Sequence, residues 1–161
     1  MRKATETIPA SVLNVKSALT AAGAQDTVLT FDDDVPTAAA AASLLGCDIA
    51  AIANSLVFEL DGTPLLILAS GAAKVDTALV ADSLGTPRIR RASPDFVLEH
   101  TGQAVGGVAP LGHPRPLRTI LDISLEEHPL LWAGAGDHNS MFSISYSELQ
   151  RITAAQPLKV R

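Results

Sequence analysis

Between Thr101 and Pro116 the chain reads Thr-Gly-Gln-Ala-Val-Gly-Gly-Val-Ala-Pro-Leu-Gly-His-Pro-Arg-Pro, with four glycines and three prolines among few large side chains. Glycine lets a ligand approach main-chain N–H groups, and proline limits how the loop relaxes. Such a segment can hold donors ready for a small polar group. His113 within it suits a proton shuttle or a substrate contact, since imidazole titrates near neutral pH; a loop histidine hydrogen-bonded beside two prolines is the structural alternative. Other chemistry loses support. There is no Walker loop, no Gly-x-Gly-x-x-Gly after a strand and no Gly-x-Ser-x-Gly elbow. His100, His113, His128 and His138 lack ligand spacing, and Asp32-Asp33-Asp34 lacks the downstream glutamate of an EF-hand. No metal and no cofactor is expected.

The elements that must position this loop are legible in outline. Pro9 opens a helix with Val12, Leu13, Val15 and Leu19 on its apolar side and a stop at Gly23, followed by a strand Thr27–Phe31. Thr37 caps an alanine-rich helix Ala38–Leu45 that ends at Gly46. Ser55–Leu60 and Pro64–Ser70 are β-prone runs joined by Asp61-Gly62, a hairpin signal. A helix Val75–Leu84 stops at Gly85, a short strand covers Arg88–Arg90, and Ser93-Pro94 begins a helix Asp95–Glu99. Further strands are expected at Ala104–Val108, Leu117–Ile123, Leu130–Ala133 and Met141–Ser145. Ser147 would cap a last helix Glu148–Thr153, with Pro157–Arg161 as a loose tail. The pattern is α+β: one domain over residues 1–161, with a mixed, mostly antiparallel, barrel-like sheet surrounded by helices.

A chain of 161 residues with 47% hydrophobic content can bury a core as one domain. Its lone cysteine, Cys47, rules out an internal disulfide and any Cys-x-x-Cys motif. Met1–Ala10 has no apolar signal core, and no window is long and apolar enough to cross a bilayer. A cytoplasmic protein without a membrane partner is the expectation. The net charge of −5 is unevenly spread, since Lys74–Arg118 carries six cations against four anions. That middle segment could meet a phosphate backbone, or be ordinary solvated surface.

The order of several blocks resembles the YbaK and prolyl-tRNA-synthetase-associated editing-domain family. These blocks are Thr37 with the alanine helix ending at Leu45-Gly46, then Ile52-Ala53-Asn54-Ser55-Leu56-Val57-Phe58, Leu68-Ala69-Ser70-Gly71, Lys74-Val75-Asp76 and Leu84-Gly85. Thr101-Gly102, Gly106-Gly107-Val108-Ala109-Pro110-Leu111-Gly112-His113, Leu121-Asp122 and Ala133-Gly134-Ala135-Gly136 follow. Gly-x-x-x-Pro alone carries little weight, for it recurs at Gly112–Pro116. The likeness covers nearly the whole chain. It implies a trans-acting hydrolase for the ester of mischarged tRNA, of the Ala- or Cys-tRNA(Pro) type, with aminoacylated tRNA as partner, a synthetase as a further candidate partner, and a monomer or weak homodimer as its state.

The resemblance also implies a site. Gly106, Gly107, Val108, Ala109 and Pro110 would grip the aminoacyl carbonyl and amine by their backbone, with Asn54 and His113 beside them. Gly134 and Gly136 would form the opposite wall, with Asp137 and His138 as contacts to the amino-acid side; a structural turn is the alternative there. Thr37, Ser70, Lys74 and Asp122 are substrate-binding candidates, although Thr37 is also read as a helix cap and Asp122 as a strand-end cap. Trp132 reads as core. At Asn54 the chain departs from the family, most of whose members have a lysine there. An amide can hydrogen-bond but carries no charge. Three outcomes are open: Asn54 orients water or ribose, another cation such as Lys74 or Arg118 reaches the site, or only binding remains and the protein is a noncatalytic tRNA or synthetase binding module.

Overall fold

The Asp61-Gly62 turn does what its sequence requires. Asp61 has φ 50° and Gly62 φ 84°, the left-handed pair that matches a two-residue turn to the twist of its strands. The computed structural model describes residues 8–161, so most of the amino-terminal stretch weighed as a leader lies outside the described residues. In chain order these form α1 (Ala10–Ala21), β1 (Leu29–Thr30), α2 (Ala38–Leu45), a 3-10 turn (Ile49–Ala51), β2 (Ile52–Leu60), β3 (Thr63–Ser70), α3 (Thr77–Leu84), β4 (Ile89–Arg91) and α4 (Pro94–Thr101). There follow β5 (Arg118–Asp122), a second 3-10 turn (Ile123–Glu127), β6 (Leu131–Gly134), β7 (Ser140–Ile144), α5 (Tyr146–Thr153) and β8 (Gln156–Leu158).

The strands join in one mixed sheet in the order β1-β7-β6-β2-β3-β5-β8, with β4 added to β2. β2–β3, β2–β4, β6–β7 and β1–β7 are antiparallel; β2–β6, β3–β5 and β5–β8 are parallel. Leu66, Leu68, Leu121, Leu131 and Phe142 bury one face against α1 and α5, through Val15, Leu19 and Leu149. Phe58, Leu65, Ile67 and Ile120 bury the other against Val80 and Ala81 of α3. A third group joins α2 to the sheet through Ala41, Ala42, Ile52 and Met141. Small alanine side chains let α2 lie close to its neighbours.

The structure revises several local expectations. Ala104–Val108 is not a strand: Gly106 turns left-handed at φ 92°, and the Gly107 N–H bonds back to the Ala104 carbonyl at 3.0 Å. The final helix begins at Tyr146, because Ser145, not Ser147, accepts the Glu148 N–H. The expected loose tail is tied down. β8 extends the parallel ladder beside β5, the Val160 carbonyl accepts the Asp76 N–H at 2.7 Å, and Val160 is buried. Elsewhere the shifts are small: Asp76 caps α3 and Ser93 caps α4, which Pro94 opens as expected.

Asp122 is buried between elements. One carboxylate oxygen accepts the Ser70 N–H at 3.0 Å, and the other accepts the Ser124 N–H and hydroxyl at 2.9 and 2.8 Å. It joins the end of β3 to the turn after β5, so Asp122→Ala strands a buried donor. We expect a loss of about 2–3 kcal/mol, read as a lower urea midpoint at unchanged slope.

Candidate active site

β2 has β3 along one edge, but its other edge is shared. β6 pairs with it at Ile52 and Ala53, and β4 pairs at Phe58, Glu59 and Leu60. Between these ladders, residues 54 to 57 have no strand beside them. The Ala92 N–H donates to the Val57 carbonyl at 3.2 Å, so Val57 directs its peptide groups to this open edge. Strand alternation sends those of Ser55 the same way.

A cavity of about 470 Å³ occupies the gap. Its floor is β2 from Ile52 to Val57, and one side is Val35–Ala38 at the start of α2. Arg91, Ala92 and Pro94 close the end beside β4, while Val105, Gly106 and Val108 meet Gly134, Asp137 and His138 on the remaining side. Ser55 also lines the cavity, and its hydroxyl is buried with no protein hydrogen-bond partner.

The glycine loop and the segment after β6 touch through main chain. The Gly136 N–H donates to the Gly107 carbonyl at 2.9 Å. A Cβ on Gly107 would lie 2.7 Å from the Asp137 carbonyl carbon, and one on Gly134 would lie 2.9 Å from the Val108 oxygen. Only glycine allows this approach at both positions. The imidazole of His138 lies over Gly106, with Nδ1 3.3 Å from where a Cβ would stand.

Behind the loop, the side chain of Gln103 is buried. Its Oε1 accepts the Ala109 N–H at 2.7 Å, and Thr101 Oγ1 accepts the Gln103 N–H at 3.0 Å. The N–H groups of Gly107 and Ala109 are thus engaged, while Gly106 and Val108 line the cavity. A glycine-bearing loop at the wall suits a small anionic or carbonyl oxygen.

The structure brings together Thr37, Asn54, Gly106, Val108, Gly134, Asp137 and His138 at the cavity. It does not bring all the expected residues there. Ala109 and Pro110 are buried behind the loop. Gly107 spaces the two walls without lining the cavity. Ser70 is buried, its hydroxyl donating to the Ala50 carbonyl at 2.9 Å, and Asp122 serves as the link described above. Lys74 and Arg118, considered as substitute cations, are exposed and outside the lining.

His113 borders a separate depression lined by Ser11, Asn14, Thr101 and Gln103. Gly112 turns at φ 85° against Val15 and carries the ring away from the cavity. There its Nε2 lies 2.8 Å from the Ala109 carbonyl, and burial holds its pKa below the usual 6.5. Thr37 combines both readings, lining the cavity while its hydroxyl accepts the Ala40 N–H at 3.1 Å. Among the described residues, Arg91 is the only lysine or arginine that lines the cavity. Sequence reading missed it, although three closely spaced arginines at 88, 90 and 91 were a signal.

Comparison with known proteins places the chain in a family. The model for the aminoacyl-tRNA editing domain matches residues 32–152. The chain belongs to that family. The chain is 31% identical over 144 residues to the uncharacterized protein YwhH of Bacillus subtilis (strain 168), covering 89% of this chain and 91% of that one. A solved structure described as a candidate trans-editing enzyme for prolyl tRNA synthetase superposes with TM-score 0.88 at 33% identity, covering 96% of this chain and 99% of that one. A proline–tRNA ligase of Citrifermentans bemidjiense is 28% identical over 85 residues, which are 53% of this chain and 15% of the ligase. The editing-domain likeness read from the blocks and the mixed α+β fold are both borne out.

Two outcomes test the loop support. Gln103→Leu leaves the buried Ala109 N–H without its acceptor and should cost about 1–3 kcal/mol in chemical denaturation. For His113 the folded pKa is lowered, so as pH falls below 6.5 the unfolded chain gains a proton that the folded chain resists. Wild type should therefore lose more thermal stability than His113→Gln between about pH 7 and about pH 5.

Proposed function

We propose that the protein is a trans-acting deacylase that hydrolyses the ester of mischarged tRNA, of the Ala- or Cys-tRNA(Pro) type. The observation that carries this reading is a cavity of about 470 Å³ lined by Gly106 and Val108 of the glycine loop, in a chain of the editing-domain family. Small-ligand sites have this size. The chemistry asks little of a side-chain nucleophile, because an aminoacyl ester is already activated.

Water oxygen adds to the ester carbonyl, and the oxygen that gains charge is met by the N–H groups of Gly106 and Val108. The bond to the terminal ribose oxygen then breaks; the water's proton passes to that oxygen, leaving the free amino acid and tRNA. The adjacent ribose hydroxyl helps place the water. Asn54, on the cavity floor, serves as a neutral donor and acceptor for ribose or water where most of the family has an ammonium. Thr37, Asp137 and His138 bound the space for the amino-acid group. Discrimination by pocket size is worth only about 1–3 kcal/mol per methylene, which makes a separate editing site useful.

The working place is the cytoplasm, with aminoacylated tRNA as partner and a synthetase as a second candidate. The substitution at Asn54 favours one other reading, a noncatalytic module that binds aminoacyl-tRNA or a synthetase. Purified protein mixed with alanyl- and cysteinyl-tRNA(Pro) should speed ester loss over buffer. No acceleration across a panel of mischarged tRNAs would reject the deacylase and leave the binding module. Asn54→Lys should lower the existing rate if Asn54 belongs to a distinct solution of the same chemistry; activation of an inert protein would show that the substitution had disabled the site.

A further inference from the structure

We infer that Arg91 forms a phosphate subsite at the β4 end of the cavity, contacting a backbone phosphate near the acceptor end of the bound tRNA. The inference takes its ligand from the deacylase reading but concerns a binding contact that can be measured without hydrolysis.

Arg91 is opposite Phe58 in the antiparallel β2–β4 pair, so the two side chains share a face of the sheet. The guanidinium carbon lies 5.6 Å from the centre of the Phe58 ring, within cation–π range. That contact orients the head group without neutralising it. Its neighbour Arg90 points to the opposite face, where its Nε lies 3.3 Å from a Glu59 carboxylate oxygen in an ion pair. No carboxylate among the described residues forms an ion pair with Arg91, whose side chain is exposed on the rim. Asp95 is the nearest acid in sequence, in the first turn of α4, and Asp137 lies across the cavity.

Asn54 precedes Phe58 by four residues and is on the same face of β2, about 13 Å along the strand. A cation at 54 and one at 91 would therefore enter one cavity from different ends. In this chain the first is an amide, and the permanent positive charge on the lining is at 91. A planar guanidinium with several donors suits a phosphodiester better than an ammonium does, and its weaker hydration lowers the cost of the contact. The exposed placement on the cavity lining fits a phosphate next to the terminal nucleoside better than the ester itself.

The test is titration of full-length protein with uncharged proline tRNA over a range of salt concentrations. Arg91→Met retains an apolar chain over Phe58 and removes the charge; Arg91→Lys keeps the charge. We expect Arg91→Met to weaken binding about tenfold and reduce the slope of log K against log salt by about one, with Arg91→Lys recovering the slope. Thermal denaturation of each variant checks that Phe58 remains covered. An unchanged salt slope in a folded Arg91→Met protein overturns the inference, as does absence of tRNA binding by wild type. Failure of the deacylase reading would look different: tRNA binding would persist with no loss of ester.

Discussion

The divided edge of β2 is the constraint on which the site depends. A strand offers hydrogen-bonding groups on both edges, and a sheet normally pairs them throughout. Here β6 takes the first two residues and β4 the last three, because the two strands approach from different parts of the chain and do not meet. The interval holds open the cavity in a sheet otherwise closed by Leu, Ile and Phe side chains. Its walls are set by the sheet itself, so the floor of the site has the rigidity of a long antiparallel pair.

The second wall depends on glycine. Two irregular segments, the loop around Gly107 and the turn after β6, approach closely enough that a Cβ at Gly107 would enter the Asp137 backbone. Their contact consumes the Gly136 N–H and the Gly107 carbonyl. Gln103 and His113 reinforce the arrangement from behind through the Ala109 peptide. A backbone site of this kind concentrates dipoles where charge develops and needs no ionised group at the reacting atom. That is consistent with an amide at position 54 and a guanidinium kept at the rim.

Local sequence rules worked where local forces decide. The Asp61-Gly62 turn, the Thr37 cap and the Gly46 and Gly85 stops each depend on one residue's own conformational preference, and each was legible. The glycine loop was legible as a place where backbone is displayed, but it was misread as containing a strand, since Ala104–Val108 is short and apolar enough for either state. The tail was misread because its burial comes from β5 and α3, far away in sequence.

By itself, the sequence determined most of the element types, the family and the presence of a backbone-rich loop, because turns, caps and ordered blocks are properties of neighbouring residues. Only the tertiary structure decided which residues share the cavity. It placed Arg91 at the mouth, turned His113 behind the loop, and used Asp122 and Ser70 as internal links. The physical reason is that a strand's open edge, a Cβ-free contact and a buried hydrogen bond each join segments distant in the chain, and no local preference specifies such a meeting.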